Sequence, residues 1–224
     1  MIIALLIWLF KKYAMPAISR YKGNRALKMI RNTVALAMFL ASYFSASAQE
    51  QTVKYNVLHG SKVVGHMDLY QKRNGDNLYL RMISEVKMRF IFSIKVNCNE
   101  ESTFSDGRLV SSHILRNVNG KEKANRQTTA VGDGYQTSAE GKNGTLSQKD
   151  ISTNLMLLYT HEPADNSQVY SDNFQQFLKV KQTGNHVYRI DLPDGNYNYY
   201  SYTNGICSKV DIHHSLYTIQ IQLA

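Results

Sequence analysis

Turn signals punctuate the chain from Thr52 to Leu223 at intervals of roughly 8–14 residues, the spacing at which antiparallel strands reverse. They include His59-Gly60-Ser61, Asn74-Gly75-Asp76, Ser105-Asp106-Gly107, Asn119-Gly120, Gly132-Asp133-Gly134, Gly141-Lys142-Asn143-Gly144, Thr183-Gly184-Asn185, Pro193-Asp194-Gly195 and Asn204-Gly205. Asn-Gly and Asp-Gly steps tolerate the positive φ that two-residue hairpin turns demand. Asn119-Gly120 and Asn204-Gly205 are the clearest hairpins. The runs between turns are rich in Val, Ile, Thr, Tyr and Phe, residues that fit a pleated, half-buried surface. Punctuation this frequent leaves little room for helices, and the expected fold is all-β.

The alternation of side chains sharpens that expectation. Leu78, Leu80, Met82, Val86, Met88, Phe90, Phe92, Ile94, Val96 and Cys98 share one parity, while Arg81, Glu85, Lys87, Arg89, Ser93, Lys95 and Asn97 occupy the other. Same-parity residues share a face along a strand. A two-residue hairpin pairs residues of opposite parity and would shift this phase, yet the phase holds throughout. Either one long strand bends near Ser84–Arg89, or an odd-length loop joins two strands there. A straight strand of that length would run about 70 Å, far beyond ordinary strands. The face bearing Met82, Val86, Phe90, Phe92, Ile94 and Val96 is expected to be buried.

Toward the C-terminus the meander repeats over His186–Leu192, Asn196–Thr203, Ile206–His213 and Leu216–Leu223. Asp150–Tyr159 departs from it, with Leu155, Met156, Leu158 and Tyr159 at helical spacing and Asp150 or Ser152 available as N-cap. A short helix is expected there, covering an open sheet face or a barrel mouth. Asn173–Val180 is ambiguous between helix and strand. Residues 49–224 are thus expected to form one domain, a strongly curved antiparallel meander sheet or barrel of about ten strands with one short covering helix.

The chain carries 26 Lys/Arg against 17 Asp/Glu, a formal charge of +9. Seven of the basic residues and none of the acidic ones lie in residues 1–48, so the remainder is close to neutral. A nucleic-acid-binding domain is not indicated. Within residues 1–48, the apolar run Ile2–Phe10 is too short to cross a bilayer as a helix. The run Val34–Phe44 follows Lys28 and Arg31 and ends in Ser45-Ala46-Ser47-Ala48, with small residues at the −3 and −1 positions. That is the layout of a signal peptide starting at Met29 and cleaved after Ala48, with an upstream extension before it. The mature form is expected to be exported to the periplasm, cell envelope or exterior, and not to span the membrane.

Chemical motifs are scarce. Nucleophile elbow, phosphate loop, dinucleotide fingerprint and zinc-protease helix are all missing. His213-His214 and Glu100-Glu101 are adjacent pairs whose members point to opposite strand faces, which serves neither metal chelation nor paired acid–base work. Glu100 reads as part of a polar strand end, and Glu85 as a partner for nearby cations. No catalytic, cofactor or metal residue is assigned, and the balance leans away from an enzyme. Cys98 and Cys207 are an even pair that an exported protein can oxidise to a disulfide; Cys98 also fits as a small buried hydrophobe. Tyr197, Tyr199, Tyr200 and Tyr202 crowd one short strand, with the first two on one face and the last two on the other. Such a strand is covered on both sides or lines a binding surface.

Ser84–Ser112, with a basic-aromatic strand before an F-x-D-G turn, and Tyr188–Leu223, with an L-P-D-G turn and a Tyr-rich strand leading into N-G-I-C, resemble a family of exported Bacteroidota proteins of unknown function, DUF6134. The resemblance covers roughly residues 52–223 and implies no activity or site residues. The architecture is more distantly similar to periplasmic lipoprotein carriers, which wrap a sheet around an apolar ligand; that likeness implies fold rather than function. Two functions follow as expectations. The first is a non-enzymatic cell-envelope protein holding a lipid or other apolar ligand in the cupped sheet, with Leu155, Leu158 and Tyr159 at its opening. The second is an interaction module that binds an envelope glycan or protein through Tyr197, Tyr199, Tyr200 and Tyr202. Neither needs a cofactor.

Overall fold

The computed structural model describes Trp8, Lys12 and residues 49–89, 93–147, 150–215 and 217–224. The apolar runs Ile2–Phe10 and Val34–Phe44, the cleavage site at Ala48, and Phe90 and Phe92 fall on residues outside those described, apart from Trp8. Among the described residues no helix is long and apolar enough to cross a membrane.

Fourteen strands are described: β1 (Gln49–His59), β2 (Lys62–Asn74), β3 (Asn77–Arg89), β4 (Ser93–Ser105), β5 (Arg108–Val118), β6 (Lys121–Val131), β7 (Gly134–Ala139), β8 (Lys142–Leu146), β9 (Gln168–Ser171), β10 (Gln176–Gly184), β11 (Val187–Asp191), β12 (Tyr197–Thr203), β13 (Ile206–His214) and β14 (Tyr217–Leu223). They form one antiparallel sheet in the order β8 to β1, then β14 to β9. Every sequence neighbour is a sheet neighbour except β8 and β9. The first and last strands pair through Tyr55↔Leu223 and Val57↔Ile221. The two open edges, β8 and β9, are therefore consecutive in the chain.

The sheet curls almost into a ring. Thr128 on β6 and Tyr170 on β9 are eleven steps apart in the sheet order, about 50 Å if the sheet were flat. Their side-chain oxygens nevertheless lie 3.0 Å apart in a hydrogen bond. Gly65 marks one place where the sheet bends. A Cβ there would collide with the Glu85 carbonyl oxygen and lie 2.7 Å from Val86 Cα, and the β1–β2 register slips between Val57 and Leu58 beside it. The hairpins at Asn119-Gly120 and Asn204-Gly205 form as expected, with both residues of each at positive φ.

β3 and β4 resolve the long alternating run as two strands. Arg89 pairs with Ser93 across a three-residue connection, so Leu78↔Phe104, Met82↔Glu100 and Val86↔Val96 keep one parity on one face. Leu78, Leu80, Met82, Val86 and Met88 are buried on that face, while Ile94 and Val96 are half-buried. The opposite parity carries exposed ion pairs, Lys95–Glu85 at 2.8 Å and Arg81–Glu101 at 3.3 Å.

The expected helix is reduced to a single 3-10 turn, Leu157–Tyr159. Residues 153–155 spend their backbone groups on β9 instead: Tyr170 N–H donates to the Thr153 carbonyl at 2.9 Å and Leu155 N–H to the Tyr170 carbonyl at 3.0 Å. Asn154, not Asp150 or Ser152, accepts the Leu157 N–H, at 3.1 Å. The strand count also exceeds the expected ten, because the stretch from Lys121 to Gly184 contributes β6 to β10. Its ambiguous part, Asn173–Val180, enters strand β10.

Residues 151–159 do not cover the sheet from outside. With the edge strand β9 and the turn after it, which carries Asp172, they form an inner strap, and Ile151, Met156, Leu158, Val169 and Tyr170 are almost fully buried. Buried hydroxyls receive them. Ser102, Ser112, Thr128 and Thr137 are directly paired across β4, β5, β6 and β7 on the inner face. Asn154 donates to Ser102 Oγ at 2.9 Å, and Thr128 bonds the Tyr170 hydroxyl. From the other half of the ring, the Tyr55 hydroxyl lies 3.3 Å from the Tyr159 carbonyl and the Tyr202 hydroxyl donates to the Leu158 carbonyl at 2.8 Å. Buried polar groups satisfied in this way fix one strap position, because any displacement leaves several unpaired.

Candidate functional site

A cavity of about 260 Å³ lies between the strap and the inner face of the sheet. At roughly 30 Å³ per water molecule this is room for on the order of eight waters or one small organic molecule. Met82, Ile114, Met156 and Ile212 give it an apolar side, and Tyr159 and Tyr200 an aromatic one. Its polar side comes from four places. β4 supplies Glu100, β5 supplies Arg116, the strap supplies Asp172, and the turn after β11 leads into Asn196 and Asn198. Asp194 is the exposed member of the lining.

Strand parity explains why Glu100 and Arg116 are here. Glu100 shares the inward phase of Cys98, Ser102 and Phe104; it sits between Met82 and Ile114 in the cross-strand rows, and Arg116 sits beside Cys98 one row away. Its neighbour Glu101 faces outward to Arg81. Glu100 accepts from Cys98 Sγ at 3.3 Å. The Pro193-Asp194-Gly195 turn closes with Leu192 N–H donating to the Asn196 carbonyl at 2.8 Å, and Asn196 Oδ1 accepts from Ser215 N–H at 3.0 Å. This pins the start of β12, from which Asn198 and Tyr200 project inward.

Asp172 is the most perturbed group in the lining. It is 7% exposed, and burial pushes its carboxyl from an ordinary 3.8 to about 7. The neighbouring Glu100 charge adds to that rise; the Ser112 hydroxyl and the Asn154 amide oppose it. Asn154 Nδ2 donates to Asp172 Oδ2 at 2.9 Å. Asp172 Oδ1, in contrast, is buried and closes no hydrogen bond, the Ser112 hydroxyl acting on the carboxylate from longer range, and Asn198 Oδ1 is likewise unbonded. The Asn198 amide stands beside the Tyr200 hydroxyl, which its burial holds well above the ordinary tyrosine range. Buried orphan acceptors are uncommon in folded proteins, because each loses its hydration without replacement. Two of them line this one cavity.

The residues singled out from sequence are divided by the structure. Leu155, Tyr159 and Tyr200 line the cavity. Leu158 and Tyr202 are buried in the core, joined by the hydrogen bond from the Tyr202 hydroxyl to the Leu158 carbonyl. Tyr197 and Tyr199 lie on the outer face: the Arg189 guanidinium packs 4.0 Å from the Tyr197 ring centre, and His213 stacks on Tyr197 at 4.7 Å. The face assigned to an apolar ligand is occupied by the chain's own strap. Cys98 and Cys207 are free thiols, separated in the sheet by four strands. Burial pushes both up to about 12, which disfavours the thiolate form. Glu100, Arg116, Asp172, Asn196 and Asn198 were not singled out as binding residues. The signal available for Glu100, Arg116 and Asn198 was a polar residue standing on the apolar parity of its strand.

Comparison with known proteins adds a family but no activity. A model described as Domain of unknown function (DUF6134) matches residues 55–224. No curated protein matches the chain. A solved structure titled as a beta-barrel-like protein of Domain of Unknown Function DUF1849, from Brucella abortus, is similar to it at 9% identity, with a TM-score of 0.47, covering 79% of this chain and 95% of that one.

Proposed function

The chain belongs to the DUF6134 family, a domain of unknown function, and from that premise we propose that residues 49–224 form an exported cell-envelope protein that binds a small molecule between its sheet and its inner strap. One observation carries the proposal: two buried acceptors, Asp172 Oδ1 and Asn198 Oδ1, line one ligand-sized cavity with nothing bonded to them. A bound ligand would supply the missing donors. A long lipid chain suits the cavity poorly, since carboxylate, guanidinium and amide groups interrupt its apolar lining. Export rests on the basic, apolar and small-residue sequence ending at Ala48.

Surface binding through the Tyr-rich strand is the weaker alternative. Its outward members, Tyr197 and Tyr199, already contact Arg189 and His213, and Tyr200 and Tyr202 face inward. Two measurements test the proposal. N-terminal sequencing of the protein recovered from the envelope should begin at Gln49. Native mass spectrometry of the same material should show a co-purifying small molecule that is released on unfolding. A ligand-free mass there, together with loss of envelope retention in Tyr199→Ala, would favour surface binding instead.

A further inference from the structure

Building on that small-molecule reading, we propose that the cavity selects a small aliphatic ammonium ion, with its charged nitrogen between Asp172, Asn198 and Glu100 and its hydrocarbon part against Met82, Ile114 and Ile212. The unmet hydrogen-bonding demand in the lining is for donors. Both orphan atoms are acceptor oxygens, each on a residue at least nine-tenths buried. An ammonium group offers three donors and no acceptor. A carboxylate ligand would bring more unpaired acceptors to atoms that already lack donors.

The charge balance points the same way. Glu100 and Asp172 both face the cavity, and Glu100 acts on Asp172 as a like charge. Asp194 adds a third acid at the rim; Arg116 is the guanidinium of the lining, and His214 is its imidazole. The Glu100 charge acts on the Arg116 guanidinium without closing an ion pair, and Asp172 has no such cation beside it among the described residues. Buried carboxylates of one sign either share protons or recruit a cation. Described residues offer no group of three or more His, Cys, Asp or Glu side chains arranged for a metal, which favours an organic cation. Tyr159 and Tyr200, edge to face at 6.2 Å, line the same space, and aromatic faces attract cations. The raised carboxyl of Asp172 fits this role, because an arriving cation favours its ionised form.

Three probes of equal length decide the matter: n-hexylammonium, 1-hexanol and hexanoate, titrated calorimetrically into the purified protein at about pH 8. Hexylammonium should bind at least about tenfold more tightly than hexanol, with hexanoate weakest. Its affinity should rise between about pH 5 and pH 8 as Asp172 ionises, while the amine stays protonated throughout. Asp172→Asn should lower hexylammonium affinity at least about tenfold and hexanol affinity several-fold less than that. Asn198→Leu provides a second, uncharged variant and should weaken hexylammonium as well. Hexanol or hexanoate binding as tightly as hexylammonium overturns the ammonium assignment and leaves the binding protein standing. So does full hexylammonium affinity in Asp172→Asn. Absence of binding by all three probes overturns both.

Discussion

Asp172 makes the stability of this fold depend on pH with a predictable sign. Its carboxyl is 7% exposed, and its folded value of about 7 compares with an ordinary 3.8. The folded state therefore holds this proton more tightly than the unfolded chain does. The resulting stabilisation is complete below about pH 4 and is lost as pH rises through the folded value. Three pKa units correspond to about 4 kcal/mol in total, of which roughly 3 kcal/mol falls between about pH 4 and pH 7. Asp172→Asn has nearly the same shape and no charge at any pH, and its carbonyl oxygen can still accept from Asn154. Other titrating groups act in both proteins, so the difference between their stabilities isolates Asp172. Urea denaturation of both, at intervals from about pH 4 to pH 9 and with no amine present, should show the variant gaining on the wild type by roughly 3 kcal/mol up to about pH 7 and levelling off above. Parallel stability curves, or a gain of opposite sign, would refute the buried, ionisable Asp172 on which this rests.

Four other perturbations probe the strap, the bend and the outer face. Leu158→Ala should cost roughly 2–5 kcal/mol in chemical denaturation, since Leu158 is 1% exposed inside the sheet; a near-neutral result would place the strap outside as a lid. Tyr202→Phe removes the donor that the Leu158 carbonyl accepts and should cost about 1 kcal/mol. Gly65→Ala drives a methyl group into the β3 backbone and should destabilise by more than about 2 kcal/mol, visible as a drop of several degrees in Tm. Lys95→Ala, which breaks an exposed pair with Glu85, should shift stability by less than about 1 kcal/mol.

The sequence by itself determined the local pattern of this protein. Turn residues at short intervals and period-two alternation depend on neighbours along the chain, so the hairpins at Asn119-Gly120 and Asn204-Gly205, the last four strands and the shared inward face of β3 and β4 could all be read directly. The split of the Tyr-rich strand into an outward pair and an inward pair was equally legible, because parity fixes it. Only the tertiary structure decided what the inward face meets. Leu155–Tyr159 carries helical spacing, but the backbone of residues 153–155 bonds β9, and that partner is brought there by the curl of the whole sheet. Glu100 looked like the polar end of a strand. Its inward, half-buried position, the raised carboxyl of Asp172 and the orphan oxygen of Asn198 all arise from bringing β4, the strap and β12 around one space. Local propensity and periodicity record which way a side chain points; desolvation and unmet hydrogen bonds are set by groups far apart in the chain, and no local pattern encodes them.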